Sequence, residues 1–258
     1  MALDGWSNVN NEPVVSVSVT TSDGDTYLTE TVDTSGNGHI AEYLTDVAST
    51  AITSCTQRFN CRIGSSVTDN AANAAKMRRR LQEHEDLDIV TYRGSADLFN
   101  LLATDVEGKD VKDNIVVHIV KYFRNTNMSA AWYKAADGKA LVMPQDVRWN
   151  TMADSLESYL QNWPIMLQVC EKHRGEIDTN IANKVKNIGI KRNAEDFLIR
   201  LNPIAVAVDR VQSDTCVIRE TVQIWRDMEK QFEENDQPIS FLKHVKHRYN
   251  QAMTDSHF

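Results

Sequence analysis

Val14 to Thr20 alternate apolar and polar residues with a period of two, and Thr26 to Val32 do so again after the turn cluster Ser22-Asp23-Gly24-Asp25. The two runs predict a β-hairpin. Past Ser35-Gly36-Asn37-Gly38 the period changes: Ile40, Tyr43, Leu44, Val47, Ala51 and Ile52 recur at helical spacing up to about Arg58. That spacing predicts one helix linking the hairpin to the next strand. Arg62 to Thr68 reads as a short buried strand ending at Asp69, followed by a helix from about Ala71 to Glu85 and a strand near Ile89 to Tyr92.

Beyond about residue 97 the alternation ceases and helical periods take over. Val111, Ile115, Ile119 and Phe123 line one face, and Phe197, Leu201, Ile204, Val208 and Val211 line another. Leu156, Leu160 and Trp163 form a further stripe that Pro164 is expected to break, and Val222, Trp225 and Phe232 continue the pattern near the end. The fold class expected is α/β plus all-α, with an α/β domain over residues 1–105 and an all-helical region over 106–258. No repeat of solenoid period and no low-complexity linker interrupts the chain.

At 258 residues, 41% hydrophobic and 25% charged, the chain is long enough for one large or two small cored domains. Its longest apolar runs, such as Ile115 to Val120, fall far below the roughly 20 residues of a membrane helix, so no membrane partner is expected. The start Met1-Ala2-Leu3-Asp4 carries neither a basic leader nor an apolar signal core. Cys55, Cys61, Cys170 and Cys216 lack metal-knuckle spacing and read as reduced packing residues. A formal charge of −8 argues against strong autonomous nucleic-acid binding, so any grip on DNA must be local. The local candidate is Lys76-Met77-Arg78-Arg79-Arg80 on the helix after Asp69; its plain alternative is a solvated face paired with Glu83 and Glu85.

Candidate chemistry resides in Leu3-Asp4-Gly5-Trp6-Ser7 and in Val67-Thr68-Asp69-Asn70-Ala71-Ala72-Asn73, where an aspartate is expected at the end of each of two strands. Two such carboxylates can share a site for hard divalent cations, which phosphodiester chemistry holds about 3.5–4 Å apart. Singly, each has an ordinary explanation: Asp-Gly is a turn pair, and Asp69 or Asn70 can cap the following helix.

These strings resemble a known family. Asp4-Gly5-Trp6-Ser7 is similar to the segment carrying the first catalytic aspartate of hAT-superfamily transposases, and Thr68-Asp69-Asn70-Ala71-Ala72-Asn73 resembles the TDNASN signature carrying the second. Ser95-Ala96-Asp97-Leu98-Phe99-Asn100-Leu101-Leu102 resembles the family's C-S-A-H-x-L-N-L segment, and Asp146-Val147-Arg148-Trp149-Asn150-Thr151 its TRWNS motif. Leu201-Asn202-Pro203 through Gln212-Ser213-Asp214, then Trp225, is similar to the late helices of the family's insertion. The resemblance implies an RNase H-like mixed sheet followed by a helical insertion, with Asp4 and Asp69 as catalytic and metal ligands for Mg²⁺ or Mn²⁺. It further implies Arg148 and Trp149 beside a DNA end, DNA as the ancestral partner, and the nucleus as the compartment. An indole there can stack on an unpaired base, an interaction of roughly 1–3 kcal/mol.

Three departures shape the expectation. The family's Cys and His in the C-S-A-H segment stand here as Gly94 and Asp97. The third acid, a glutamate on a helix returning to the core, is expected beyond Phe258; Glu195, Glu220, Glu229 and Glu233 read as solvated surface. Three residues precede Asp4, against a typical strand of about five or six, so most of the first strand is expected to be missing. That strand lies between the hairpin and the Asp69 strand in the RNase H topology. The upstream finger and downstream dimerisation region usual in the family are also not expected here. The resulting expectation is a truncated or domesticated transposase-derived chain with an incomplete, vestigial site and weak metal binding.

Two other readings stay open. One is a protein-interaction or chromatin-associated module whose acidic helical half binds a partner or self-associates. The other is a partial reading of a longer product. His244 and His247, at i,i+3 spacing, mark a polar helix face rather than a zinc site, and no phosphate loop, nucleophile elbow or dinucleotide fingerprint occurs.

Overall fold

The computed structural model describes residues 1–38, 40–69, 71–84, 86–105, 115–145, 149–213, 215–235 and 237–254. Asn70, Glu85, Val111, Arg148 and Asp214, named above, lie outside the described residues. The chain divides into two compact units: Met1–Leu98 with Gln212–Gln223 and Lys246–Phe258, and Phe99–Val211 with Ile224–Val245. The expected boundary at 105/106 therefore falls inside the second unit, and the chain re-enters the first unit twice.

The first unit is built on a five-stranded mixed sheet of order β3-β2-β1-β4-β5. Its strands are β1 (Ala2–Ser7), β2 (Pro13–Thr20), β3 (Thr26–Asp33), β4 (Ser65–Thr68) and β5 (Val90–Arg93). The alternating hairpin forms β2 and β3, closed by Gly24 at φ 94°, a conformation that glycine adopts without a Cβ penalty. β1 runs antiparallel to β2 over Ala2↔Ser18 to Ser7↔Pro13 and parallel to β4 at Ala2↔Val67. β5 then pairs parallel with β4.

β1 corrects two expectations. It spans six residues, because the chain stays extended past Asp4 to Ser7 against β2, so the strand is of ordinary length. Asp4 consequently sits mid-strand rather than at a strand end.

Helices α1 (Ala41–Phe59) and α2 (Ala72–Gln82) cover one sheet face. Leu44, Val47, Ala48, Ala51, Ile52 and Cys55 of α1 recur at three- and four-residue steps, and they bury against Leu3, Val15 and Val17 of the sheet and Met77 and Leu81 of α2. Asn60, in the left-handed conformation at φ 48°, ends α1, a position where Asn is tolerated. The opposite sheet face carries Asp4, Trp6, Ser16, Ser18 and Leu28, with Trp6 46% and Leu28 68% exposed.

The second unit is helical. Its elements are α3 (Ser95–Asp105) from Phe99 onward, α4 (Ile115–Asn125), α5 (Asn127–Ala135), α6 (Trp149–Lys172), α7 (Thr179–Lys186), α8 (Ile188–Val211), α9 (Ile218–Glu234) from Ile224, and the start of α10 (Ile239–Thr254). α6 packs along α8, whose Phe197, Leu201, Ile204 and Val208 are buried in the expected stripe. Phe99 and Trp225 stack with centroids 3.9 Å apart. Pro164 does not break α6, and Pro203 likewise lies inside α8. A helix-interior proline costs about 3 kcal/mol. Burial of Leu156 and Tyr159 before Pro164, and of Met166, Val169 and Cys170 after it, offsets that cost. No described helix is long and apolar enough to cross a membrane.

Ahead of α6, residues 139–145 lie along that helix like a strap. The backbone N–H groups of Lys139, Val142 and Gln145 donate to Asn162 Oδ1 (2.9 Å), Ser158 Oγ (3.1 Å) and Thr151 Oγ1 (2.9 Å). Three-residue steps on the segment thus match steps of four and seven residues, about one and two turns, on the helix. Gly138 starts the strap, because a Cβ there would lie 2.3 Å from the Tyr133 ring. Burial pushes the Tyr133 phenol up to about 12, and it donates to the Lys139 carbonyl at 2.5 Å.

Replacing Asn162, which is 1% exposed, by Ala removes the acceptor of the Lys139 N–H and the donor to the Ser158 carbonyl. The expected cost is about 1–3 kcal/mol, read as a lower urea midpoint with unchanged slope. Gln161→Ala on the exposed side of the same helix should change the midpoint little, by under about 0.5 kcal/mol.

Candidate functional site

β1 pairs parallel with β4 at Ala2↔Val67, which brings the strand that carries Asp4 beside the strand that Asp69 directly follows. The two aspartates line a cleft of about 80 Å³ whose floor includes Leu3 and Val15 of the sheet, Leu44 of α1 and Ala74 and Met77 of α2. That volume holds a cation with part of its water shell, each water occupying about 30 Å³ in the liquid. Both carboxylates are exposed, as hard-cation ligands that keep bound water need to be.

Asp69 is held from several sides. Its Oδ1 accepts the Ala71 N–H at 3.1 Å, closing an Asx turn ahead of α2; α2 itself has no side-chain cap. Its backbone carbonyl accepts from Arg78 Nη1 at 2.7 Å and from the Thr68 hydroxyl at 3.2 Å, while Arg78 Nη1 also donates to Thr68 Oγ1. The Gly94 N–H donates to the Thr68 carbonyl at 2.9 Å, tying the end of β5 to the end of β4. A side chain at Gly94 would meet the Asp97 carboxylate at 3.2 Å. On the other strand, the Ser16 hydroxyl donates to the Asp4 carbonyl at 3.5 Å, and Trp6 stands two residues along on the same face.

The basic run does not form one surface. Arg78 is 5% exposed and points inward at the Asp69 turn, which removes it from any phosphate-facing role. Lys76 and Arg80 both donate to Glu42 of α1, at 2.9 and 2.6 Å, instead of pairing within α2. The hydrogen bond from Lys76, helped by the charge of Arg80, holds the Glu42 carboxyl below the usual carboxylate range. Lys76 and Arg79 are exposed and Arg80 is half-buried. The reason is geometric: a helix packed on a sheet turns consecutive residues by about 100° each, so four adjacent cations cannot share one face.

Arg148 lies outside the described residues, and Trp149 is described as the first residue of α6. Asn150 is anchored by a 2.8 Å hydrogen bond from its Nδ2 to Asp209 of α8. The strap over residues 139–145 leads directly towards this segment, a support that the sequence pattern did not reveal because its signal is a set of buried polar residues on α6. Arg78 was equally hidden, since a buried arginine reads in sequence like its exposed neighbours. Among the described residues no group of three or more His, Cys, Asp or Glu comes together as a metal cluster. All four cysteines are free thiols. No family model matches the chain, and no curated protein matches it.

Arg78→Met keeps the aliphatic stem but leaves the Asp69 carbonyl without its guanidinium donor. The expected cost is about 2–3 kcal/mol in urea denaturation, the scale of a hydrogen bond to a charged group. Arg79→Met should stay within about 0.5 kcal/mol of the parent; equal effects of the two substitutions would contradict the inward role of Arg78.

Proposed function

We propose that this chain derives from the catalytic region of a hAT-superfamily transposase, with an RNase H-like sheet followed by a helical insertion. In this reading it retains a vestigial two-carboxylate site of the kind that strand cleavage and transfer use. The observation that carries the reading is that Asp4 and Asp69 line one cleft. The strand order, with the hairpin on one side of β1 and the Asp69 strand on the other, supports it.

Asp4 and Asp69 would hold Mg²⁺ or Mn²⁺, and waters would fill the remaining positions, as Mg²⁺ favours. A bound ion supplies charge stabilisation and orientation for phosphodiester oxygens. The chain's own contribution is to fix the Asp69 turn through Arg78 and Thr68 and to leave both carboxylates open to solvent. DNA is the ligand class and the nucleus the compartment that this reading implies, with Arg148 and Trp149 at the DNA end.

A non-catalytic protein-interaction or chromatin-associated module is the second reading. It is favoured by the engagement of Lys76 and Arg80 with Glu42 and of Arg78 with the Asp69 turn, which withdraws three of the four candidate DNA-binding cations beside the cleft.

Mn²⁺ titration followed by water-proton relaxation separates the two. The first reading expects one weak site, with Kd on the order of 1 mM, lost in both Asp4→Asn and Asp69→Asn. Binding indifferent to both substitutions favours the interaction module. With Mn²⁺ and an inverted-repeat duplex the parent chain should give no strand cleavage; cleavage abolished by Asp69→Ala would show that the site is complete after all.

A further inference from the structure

We propose that the outer edge of β3 accepts a further β-strand from a protein partner, an extended peptide rich in lysine or arginine. The whole site lies within the first unit. β3 is one end of the sheet order β3-β2-β1-β4-β5, and among the described residues no strand pairs with it on its outer side. Its eight residues span about 26 Å at about 3.3 Å each; β5, at the other end of the sheet, has four. The Thr34 N–H donates to the Pro13 carbonyl at 3.0 Å, so Thr34 faces β2. Backbone groups alternate in direction along an antiparallel strand, which turns those of Thr31 and Asp33 outward. A row of N–H and C=O groups of this kind is a template for main-chain pairing, the source of affinity in strand addition.

Charge selects the partner. From Met1 to Gly38 the chain carries Asp4, Glu12, Asp23, Asp25, Glu30 and Asp33 and no Lys or Arg. The last four lie on β3 or on the turn ahead of it. The register sets Glu30 opposite Val17 and Asp33 opposite Val14, so each face of the strand has a carboxylate. Asp33 Oδ1 accepts the Ser35 N–H at 2.8 Å, which fixes that carboxylate beside the edge. Tyr27 and Leu28, 56% and 68% exposed, add apolar surface near the start of the strand. The aliphatic stems of lysine or arginine can lie along such surface while their charged heads stay in water.

A second copy of the chain is the competing partner. Edge-to-edge pairing of two β3 strands would join strands whose charged residues are all acids, Glu30 and Asp33, and like charges across a strand pair destabilise it. The acids that keep β3 from its own kind attract a basic strand. The proposal goes beyond the two-carboxylate reading and uses neither Asp4 nor Asp69.

The test is fluorescence anisotropy of a labelled eight-residue peptide of alternating lysine and threonine, titrated with the full chain. The parent should bind it saturably. Thr31→Pro removes an outward N–H, a change tolerated on an edge strand, and should weaken binding at least about tenfold, as should methylation of every backbone N–H of the peptide. Glu30→Gln/Asp33→Asn should weaken it about fivefold and reduce its dependence on salt. Circular dichroism checks folding, and the methylated peptide decides the matter if Thr31→Pro fails to fold. Equal affinity for the methylated peptide, or unchanged affinity in folded Thr31→Pro, would overturn the proposal, because charge alone would then hold the peptide. So would equal binding of a glutamate–threonine peptide, or no saturable binding by the parent. Dimerisation in sedimentation velocity that Thr31→Pro abolishes would assign the edge to a second copy and overturn it as well. Asp4→Asn/Asp69→Asn should bind the peptide as the parent does, whatever its Mn²⁺ response, which keeps the outcome separate from that of the metal site.

Discussion

The parallel pairing of β1 with β4 is the contact on which the candidate site depends. The Val67 N–H donates to the Met1 carbonyl at 2.9 Å, and Ala2 pairs with Val67, which brings the strand of Asp4 beside the strand that Asp69 follows. A slip of one residue would turn Asp4 onto the packed face and Leu3 out to solvent. Leu3, 8% exposed among Val17, Leu44 and their neighbours, enforces the register that exists. Burying a lone carboxylate costs far more than exposing it, so the core itself selects the arrangement that leaves both acids open. The same packing shapes the cleft, since Leu3, Val15, Leu44 and Met77 of the core also line it.

Positive charge is divided by role along the chain. Near the carboxylates the cations are structural: Arg78 holds the Asp69 turn, and Lys76 and Arg80 clamp α2 to α1 through Glu42. Such partly exposed ion pairs contribute little energy, typically under about 1 kcal/mol each. Their consequence is electrostatic, since they neutralise what would otherwise be a basic patch beside the cleft.

Much of the α/β architecture was legible in residue spacing. The alternation of Val14 to Thr20 and Thr26 to Val32 became β2 and β3, and the Leu44 to Ile52 stripe became α1. The stripe from Phe197 to Val208 is the buried side of α8. What escaped sequence reasoning has a common cause: it depends on partners distant in the chain. Asp4 was expected at a strand end and most of its strand was expected to be missing, yet β2 supplies partners for the strand through Ser7. Pro164 looked like a stop, yet burial on both sides carries the helix through it. Arg78 and Arg79 are neighbours of one chemistry, and the sheet beneath α2 makes one internal and leaves the other at the surface. Asn162, Ser158 and Thr151 carried no helix-stripe signal, because they serve the backbone of residues 139–145 rather than the apolar core.

The convergence of the two acids is tested most directly by anomalous diffraction from crystals soaked in Mn²⁺. A single manganese peak coordinated by one carboxylate oxygen from Asp4 and one from Asp69, in the cleft that both residues line, is the expected result. Side chains directed to opposite faces of the sheet, or manganese bound with neither aspartate in contact, would contradict it.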